Sequence, residues 1–137
     1  MALYALFFLA FAYSLFVPLK PGTPWFNAGL PLAVAGALFY GLAVRELMRA
    51  QLEVSPLQNG AYRFSRHPLY VGELVMFLGV AVACASVGIL VYAILAFGIH
   101  ASGVGVEEQE CLGRYGERYR AYSRSTPRWL GIPRALS

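Results

Sequence analysis

The residues able to do chemistry fall in two short stretches of this 137-residue chain. The first runs Gly60-Ala61-Tyr62-Arg63-Phe64-Ser65-Arg66-His67-Pro68-Leu69-Tyr70-Val71-Gly72-Glu73. Pro68 suits the first turn of a helix, because the N–H it lacks is one that a helix start leaves unpaired anyway. Arg66 and His67 then stand at the mouth of that helix, whose free N–H groups favour a carboxylate or a phosphate. His67, Tyr70 and Glu73 follow at intervals of three, roughly on one face. Glu73 falls near one turn inside an apolar run, where an unpaired carboxylate is costly and reads as functional unless a proton or an arginine neutralises it. A plainer role also fits, with Arg66 and His67 as interfacial anchors and Tyr70 as a belt aromatic.

The second stretch is Glu107-Glu108-Gln109-Glu110-Cys111-Leu112-Gly113-Arg114-Tyr115-Gly116-Glu117-Arg118-Tyr119-Arg120-Ala121-Tyr122, followed by Thr126-Pro127-Arg128. Two adjacent carboxylates at the end of an apolar run can grip a cation or an ammonium group, or bond ribose hydroxyls. The alternative is an exposed helix with Glu110 and Arg114 at i,i+4, worth only a few tenths of a kcal/mol. That alternative suits Glu110, Glu117 and most of the tail arginines. For Glu107 and Glu108 the spacing leaves both readings open. No HExxH, no CxxC and no Walker lysine loop occurs, so metal hydrolysis and P-loop chemistry have no support. Ser65 is near His67, but the chain has no Asp to complete a Ser/His/Asp triad.

The elements that must position these residues are apolar. Hydrophobic residues make up 58% of the chain and charged ones 13%, with a mean hydropathy of +0.57. So small a soluble fold has more surface than so few charges can cover. An aromatic content of 15% excludes a disordered chain. The composition is that of an all-α integral membrane protein. Ala2 to Leu19 is about long enough to span and has no positive residues ahead of it, which predicts a first transmembrane helix rather than a cleaved leader. Phe26 to Val44, Leu69 to Ala83 and Val87 to about Val106 predict three more, with Trp25 as an interfacial anchor. The last two are joined by Cys84-Ala85-Ser86 alone, which reads as a tight hairpin, and the Arg45–Pro68 segment reads as a polar loop.

From Glu107 the pattern turns to a charged amphipathic helix. Leu112, Tyr115, Tyr119 and Tyr122 share one face, and Pro127 closes it. Four spans place both termini, the Arg45–Pro68 loop and the tail on one side, with ten of the eleven Lys and Arg residues; the positive-inside rule makes that side cytoplasmic. The arginines flank apolar runs and alternate with glutamates, which points to orientation or lipid headgroups and not to nucleic acid. Neither oligomeric state nor a second domain is signalled.

Taken together, the two stretches resemble the membrane-embedded methyltransferases: the isoprenylcysteine carboxyl methyltransferases and their phospholipid N-methyltransferase relatives. The matching positions are Gly60, Tyr62, Arg66, His67, Pro68, Tyr70 and Gly72, then Glu107, Glu108, Leu112, Tyr115, Gly116, Tyr119, Tyr122 and Pro127. The likeness covers about Val54 to Pro133. It implies one membrane methyltransferase-like domain over residues 1–137, taking S-adenosylmethionine from the cytoplasm and a lipophilic acceptor from the bilayer. It implies a cofactor pocket of Tyr62, His67, Pro68, Leu69 and Tyr70 on one side and Glu107 and Glu108 on the other. Glu73, His100 and Arg66 are the expected substrate-side groups, and no metal is implied. Prenylcysteine-specific members carry an arginine about one turn before the glutamate pair; here Ala101-Ser102-Gly103 occupies that place and Val54 replaces an upstream histidine. A different lipophilic acceptor is therefore expected. Two other readings stay beside it: a non-enzymatic membrane scaffold with a lipid-binding basic tail, and a proton relay through Glu73 and His100.

Overall fold

A computed structural model describes Leu9, Ala12, Tyr13 and residues 16–50 and 58–133. Among the described residues the fold is entirely helical: α1 (Pro24–Ala50), a 3-10 turn (Gly60–Arg63), α2 (Pro68–Ala83), α3 (Val87–Tyr115) and α4 (Glu117–Ser125). The first expected span, Ala2 to Leu19, lies largely outside the described residues; its Tyr13 ring sits against Gly88 at the start of α3.

Thr23 starts α1 by accepting the Phe26 N–H at 3.2 Å, and Pro24 takes the first helical position. The helix continues through Arg45 to Ala50, so the expected polar loop begins six residues later than its charges suggested. Charges end an apolar pattern without ending a helix, since Arg, Glu, Leu and Met are all good helix formers. α1 and α3 are each long and apolar enough to cross a membrane. Only 22% and 28% of their apolar windows are buried inside the protein. Leu30, Val34, Leu38, Leu42, Val91 and Ile94 lie exposed along them, a surface that water does not tolerate in a monomer of this size. With 16 residues, α2 is about 24 Å long and falls short of a full hydrocarbon thickness.

Close backbone approach holds α1 to α2. A Cβ at Gly36 would strike the Met76 backbone, one at Gly79 the backbone of Gly29 and Ala33, and one at Gly72 the Tyr40 nitrogen at 2.8 Å. Residues 29, 33, 36 and 40 of α1 thus face 72, 76, 79 and 83 of α2 at alternating spacings of three and four. Small residues at such a seam let van der Waals contact replace the hydrophobic drive that lipid removes. α2 turns into α3 through Cys84-Ala85-Ser86, with Ala85 in the left-handed region at φ 49° and Ser86 capping α3 by accepting the Ile89 N–H. The expected hairpin is present.

The expected amphipathic helix from Glu107 is not a separate element. α3 runs unbroken from the apolar stretch through Glu107 and Glu108 to Tyr115, and Gly116 at φ 56° breaks it before α4. A rigid helix therefore carries both carboxylates out of the apolar layer. α4 turns back and buries Tyr119 and Tyr122 against the 3-10 turn.

Candidate functional site

The site is assembled at one end of the α2–α3 hairpin and is closed by the tail. Tyr122 Oη donates to the carbonyls of Tyr62 at 2.8 Å and Ser65 at 3.3 Å. The Arg66 N–H donates to the Pro127 carbonyl and the Gly131 N–H to the Phe64 carbonyl, both at 3.0 Å. Ser65, fully buried, accepts the His67 N–H at 3.0 Å and donates to the Arg128 carbonyl at 3.3 Å. These bonds clamp Phe64–His67 to Pro127–Gly131 and so bring Arg66, His67 and Arg128 to α3.

At the centre lies His67, buried at the start of α2. Both ring nitrogens face carboxylates: Nδ1 is 3.4 Å from Glu107 and Nε2 is 3.2 Å from Glu108. The two glutamates are not equivalent. Glu108, with a side chain 13% exposed, faces three cationic or cation-capable groups: Arg66 at 2.8 Å, His67, and Arg128 through Nε at 3.1 Å and Nη2 at 2.6 Å. Those bonds, before any other cause, push the Arg128 guanidinium above its ordinary pKa. Glu107, 45% exposed, accepts the Tyr70 hydroxyl at 2.5 Å, faces His67 and lies near the Tyr62 and Cys111 side chains. Glu107 is therefore the carboxylate with acceptor capacity to spare.

The expected face of His67, Tyr70 and Glu73 exists. The His67 and Tyr70 rings stack at 5.8 Å and 5° between planes, and Tyr70 stacks on His100 at 4.5 Å and 20°. Glu73 pairs not with an arginine but with His100, whose Nδ1 is 3.1 Å from its carboxylate. Among the described residues that buried nitrogen has no hydrogen-bond partner.

Tyr62, Pro68 and Leu69, the other expected cofactor-lining residues, lie in more apolar surroundings, with Tyr62 near Glu107 and Tyr70. Pro68 is fully buried, and Tyr62 forms an apolar cluster with Ala43 and Ala61 against which Leu69 packs. Burial pushes the Tyr62 hydroxyl up to about 12, helped by the nearby Glu107 and Cys111. Burial likewise raises Tyr122, and Tyr119, where the Glu108 charge adds to it and Arg66 opposes it.

Two participants escape a sequence reading, whereas Arg128, part of the second polar stretch, folds back onto Glu108. Trp129, tilted against Phe97 at 4.8 Å and His67 at 6.1 Å, forms an apolar wall. Ser65 serves as a link between two chain segments rather than as a nucleophile. Only Pro127, as a helix terminator that turns the chain back, hinted at them. The plain reading of Glu110 and Arg114 is corrected in detail: both are exposed, no ion pair joins them, and Arg114 sits over the Tyr115 ring at 5.4 Å.

The arrangement offers one freely accepting carboxylate, a cluster of guanidinium and imidazole donors compensated by Glu108, and aromatic walls. It can hold a polar molecule carrying both an ammonium or hydroxyls and an anionic group, beside an apolar helix surface. A family model described as "protein of unknown function (DUF1295)" matches residues 29–126. No curated protein matches the chain. No solved structure matches it either.

Proposed function

This chain belongs to the DUF1295 family, and we propose that within it the His67–Glu107–Glu108 pocket serves an S-adenosylmethionine-dependent methyltransferase acting on a lipophilic acceptor. The matched segment contains every polar pocket residue except Arg128. That family is associated with steroid 5-alpha reductase- and methyltransferase-like membrane proteins, which is consistent with the reading. In this proposal the protein is integral to the membrane with four spans, and the pocket and both termini face the cytoplasm. The arginine-rich Arg45–Pro68 segment and tail would then lie on the cytoplasmic side.

The observation that carries the proposal is the inequality of the two glutamates. Glu107 has a free acceptor edge beside a helix start and two stacked rings, while Arg66 and His67 stand within reach of an anionic group. An amino-acid head with ammonium and carboxylate, and a ribose with two hydroxyls, need that donor set, and the residues present fit it. Tyr70 and His67 would flank the bound group; Glu107 would bond its ammonium or ribose; Arg66 would face its carboxylate. The cofactor supplies a methyl group already activated on a sulfonium, so the protein's task is to position and to exclude water. Trp129, Phe97 and the α3 surface do the latter.

Calorimetry with S-adenosylhomocysteine on the detergent-solubilised protein tests this. Binding is expected in the wild type, and Glu107→Gln should weaken it by about tenfold, the lower end for a hydrogen bond to a charged group. Glu110→Gln, on the exposed side of α3, should leave it unchanged. Absence of binding at millimolar ligand in a folded sample would favour the scaffold reading.

A further inference from the structure

Resting on the methyltransferase reading, we propose that the Glu73–His100 pair is the acceptor site, and that it receives the amine head of a lipophilic molecule. Glu73 is the one charged residue of α2, and His100 is the one ionisable side chain in the apolar part of α3 besides Tyr92. Both are partly exposed, at 20% and 34% of their side chains, on helices whose surroundings are otherwise apolar. A carboxylate kept in such a setting is costly and is by default functional. A purely structural tie would be expected to align its hydrogen bond; here His100 Nδ1 lies 3.1 Å away and remains unbonded.

Position and charge define the ligand. The Tyr70 ring stacks nearly parallel to both His67 and His100, so the acceptor pair and the polar pocket are joined through it. The guanidinium groups of Arg66 and Arg128 both pair with Glu108, and Arg66 is the group already assigned to the cofactor's carboxylate. A carboxylate acceptor would thus meet the Glu73 carboxylate with only the His100 imidazole to offset it. A protonated amine instead brings its own positive charge and N–H donors to the Glu73 carboxylate. In the reaction, the amine first gives a proton to the Glu73–His100 pair. Its nitrogen lone pair then forms a bond to the methyl carbon while the carbon–sulfur bond of the sulfonium donor breaks, its electrons passing to sulfur. The positive charge moves from sulfur to nitrogen, and the second N–H proton can leave to water.

The chain has two histidines, so nitrogen-15 histidine NMR of the full-length protein in nanodiscs, purified on a histidine-free tag, reads the site without any cofactor. Dodecylamine should shift the His100 signals and leave those of His67 in place. Glu73→Gln should weaken that response at least tenfold, and dodecanoate should give none. An equal His100 response to dodecanoate or dodecylphenol, an amine response that survives Glu73→Gln, or His67 moving in step with His100 would each overturn the assignment. If Glu73→Gln does not fold, His100→Gln provides the second variant: dodecylamine should raise the wild-type unfolding temperature and not that of His100→Gln. Failure of the amine titration with intact S-adenosylhomocysteine binding refutes the acceptor site alone; loss of that binding in the wild type refutes the methyltransferase reading.

Discussion

Glu108→Gln tests whether the pocket is held together electrostatically from within. The Glu108 carboxylate balances Arg66 at 2.8 Å and Arg128 at 2.6 Å while bonding His67. Gln keeps the shape and one acceptor oxygen but removes the charge. Arg128, half-exposed, can turn to water, so its share of the loss is within the 1 kcal/mol or so of a surface pair. Arg66 cannot: its side chain is 15% exposed and its Nε already lacks a partner. Removing one member of a buried pair costs about 3–5 kcal/mol, and partial exposure with the retained amide oxygen lowers this to about 2–4 kcal/mol. For a chain of this size that is a fall in unfolding temperature on the order of 10 °C. Trp129, in ring contact with His67 and Phe97, makes intrinsic fluorescence a suitable reporter during a thermal ramp in detergent. The double variant Glu108→Gln/Arg66→Met should recover part of the loss, because it removes the stranded cation. Glu117→Gln, 79% exposed in an i,i+3 pair with Arg120, should be near neutral. Equal falls for Glu108→Gln and Glu117→Gln, or a double variant worse than the single by the full cost of Arg66, would refute the reasoning.

Two further outcomes follow from packing and titration. Gly36→Leu and Gly79→Leu should each abolish folded protein, or lower its unfolding temperature by more than any surface change, because a side chain there meets backbone of the facing helix; Gly113→Ala, with open space around it, should be neutral or stabilising by about 0.5–1 kcal/mol. Tyr62 titrates near 12 in the fold against about 10 unfolded, so folding favours its neutral form; the stability this provides is complete below about pH 10 and is lost as pH rises toward 12. Difference absorbance of phenolate should therefore show a late-titrating component that coincides with alkaline unfolding and is reduced in Tyr62→Phe.

Much of the architecture was readable without coordinates, for identifiable reasons. Uninterrupted apolar runs mark helices whatever surrounds them, and the three residues Cys84-Ala85-Ser86 leave no room for anything but a hairpin. Pro68 marks the start of α2 because the N–H it lacks is one that a helix's first turn leaves unpaired anyway, and the threefold spacing of His67, Tyr70 and Glu73 puts them on one face. Local rules failed where the pattern changed but the backbone did not. α1 continues through Arg45 and α3 through Glu107, since charge governs which solvent a helix meets and not whether it is helical.

The division of labour between Glu107 and Glu108 was decided by tertiary structure alone. In sequence they are neighbours with the same chemistry. On α3 they diverge by about 100° around the helix axis, so one faces Tyr70 and the open edge while the other faces Arg66 and Arg128. Arg128 reaches Glu108 only because Gly116 breaks the helix, α4 turns back, and Tyr122 pins the 3-10 turn while the tail pairs with Phe64 and Arg66. His100, 27 residues from Glu73 in sequence, becomes its partner because the hairpin folds α3 back along α2. Composition and periodicity depend on each residue's nearest neighbours along the chain, whereas an ion pair depends on where two distant backbones are held, and that is set by the packing of the whole fold.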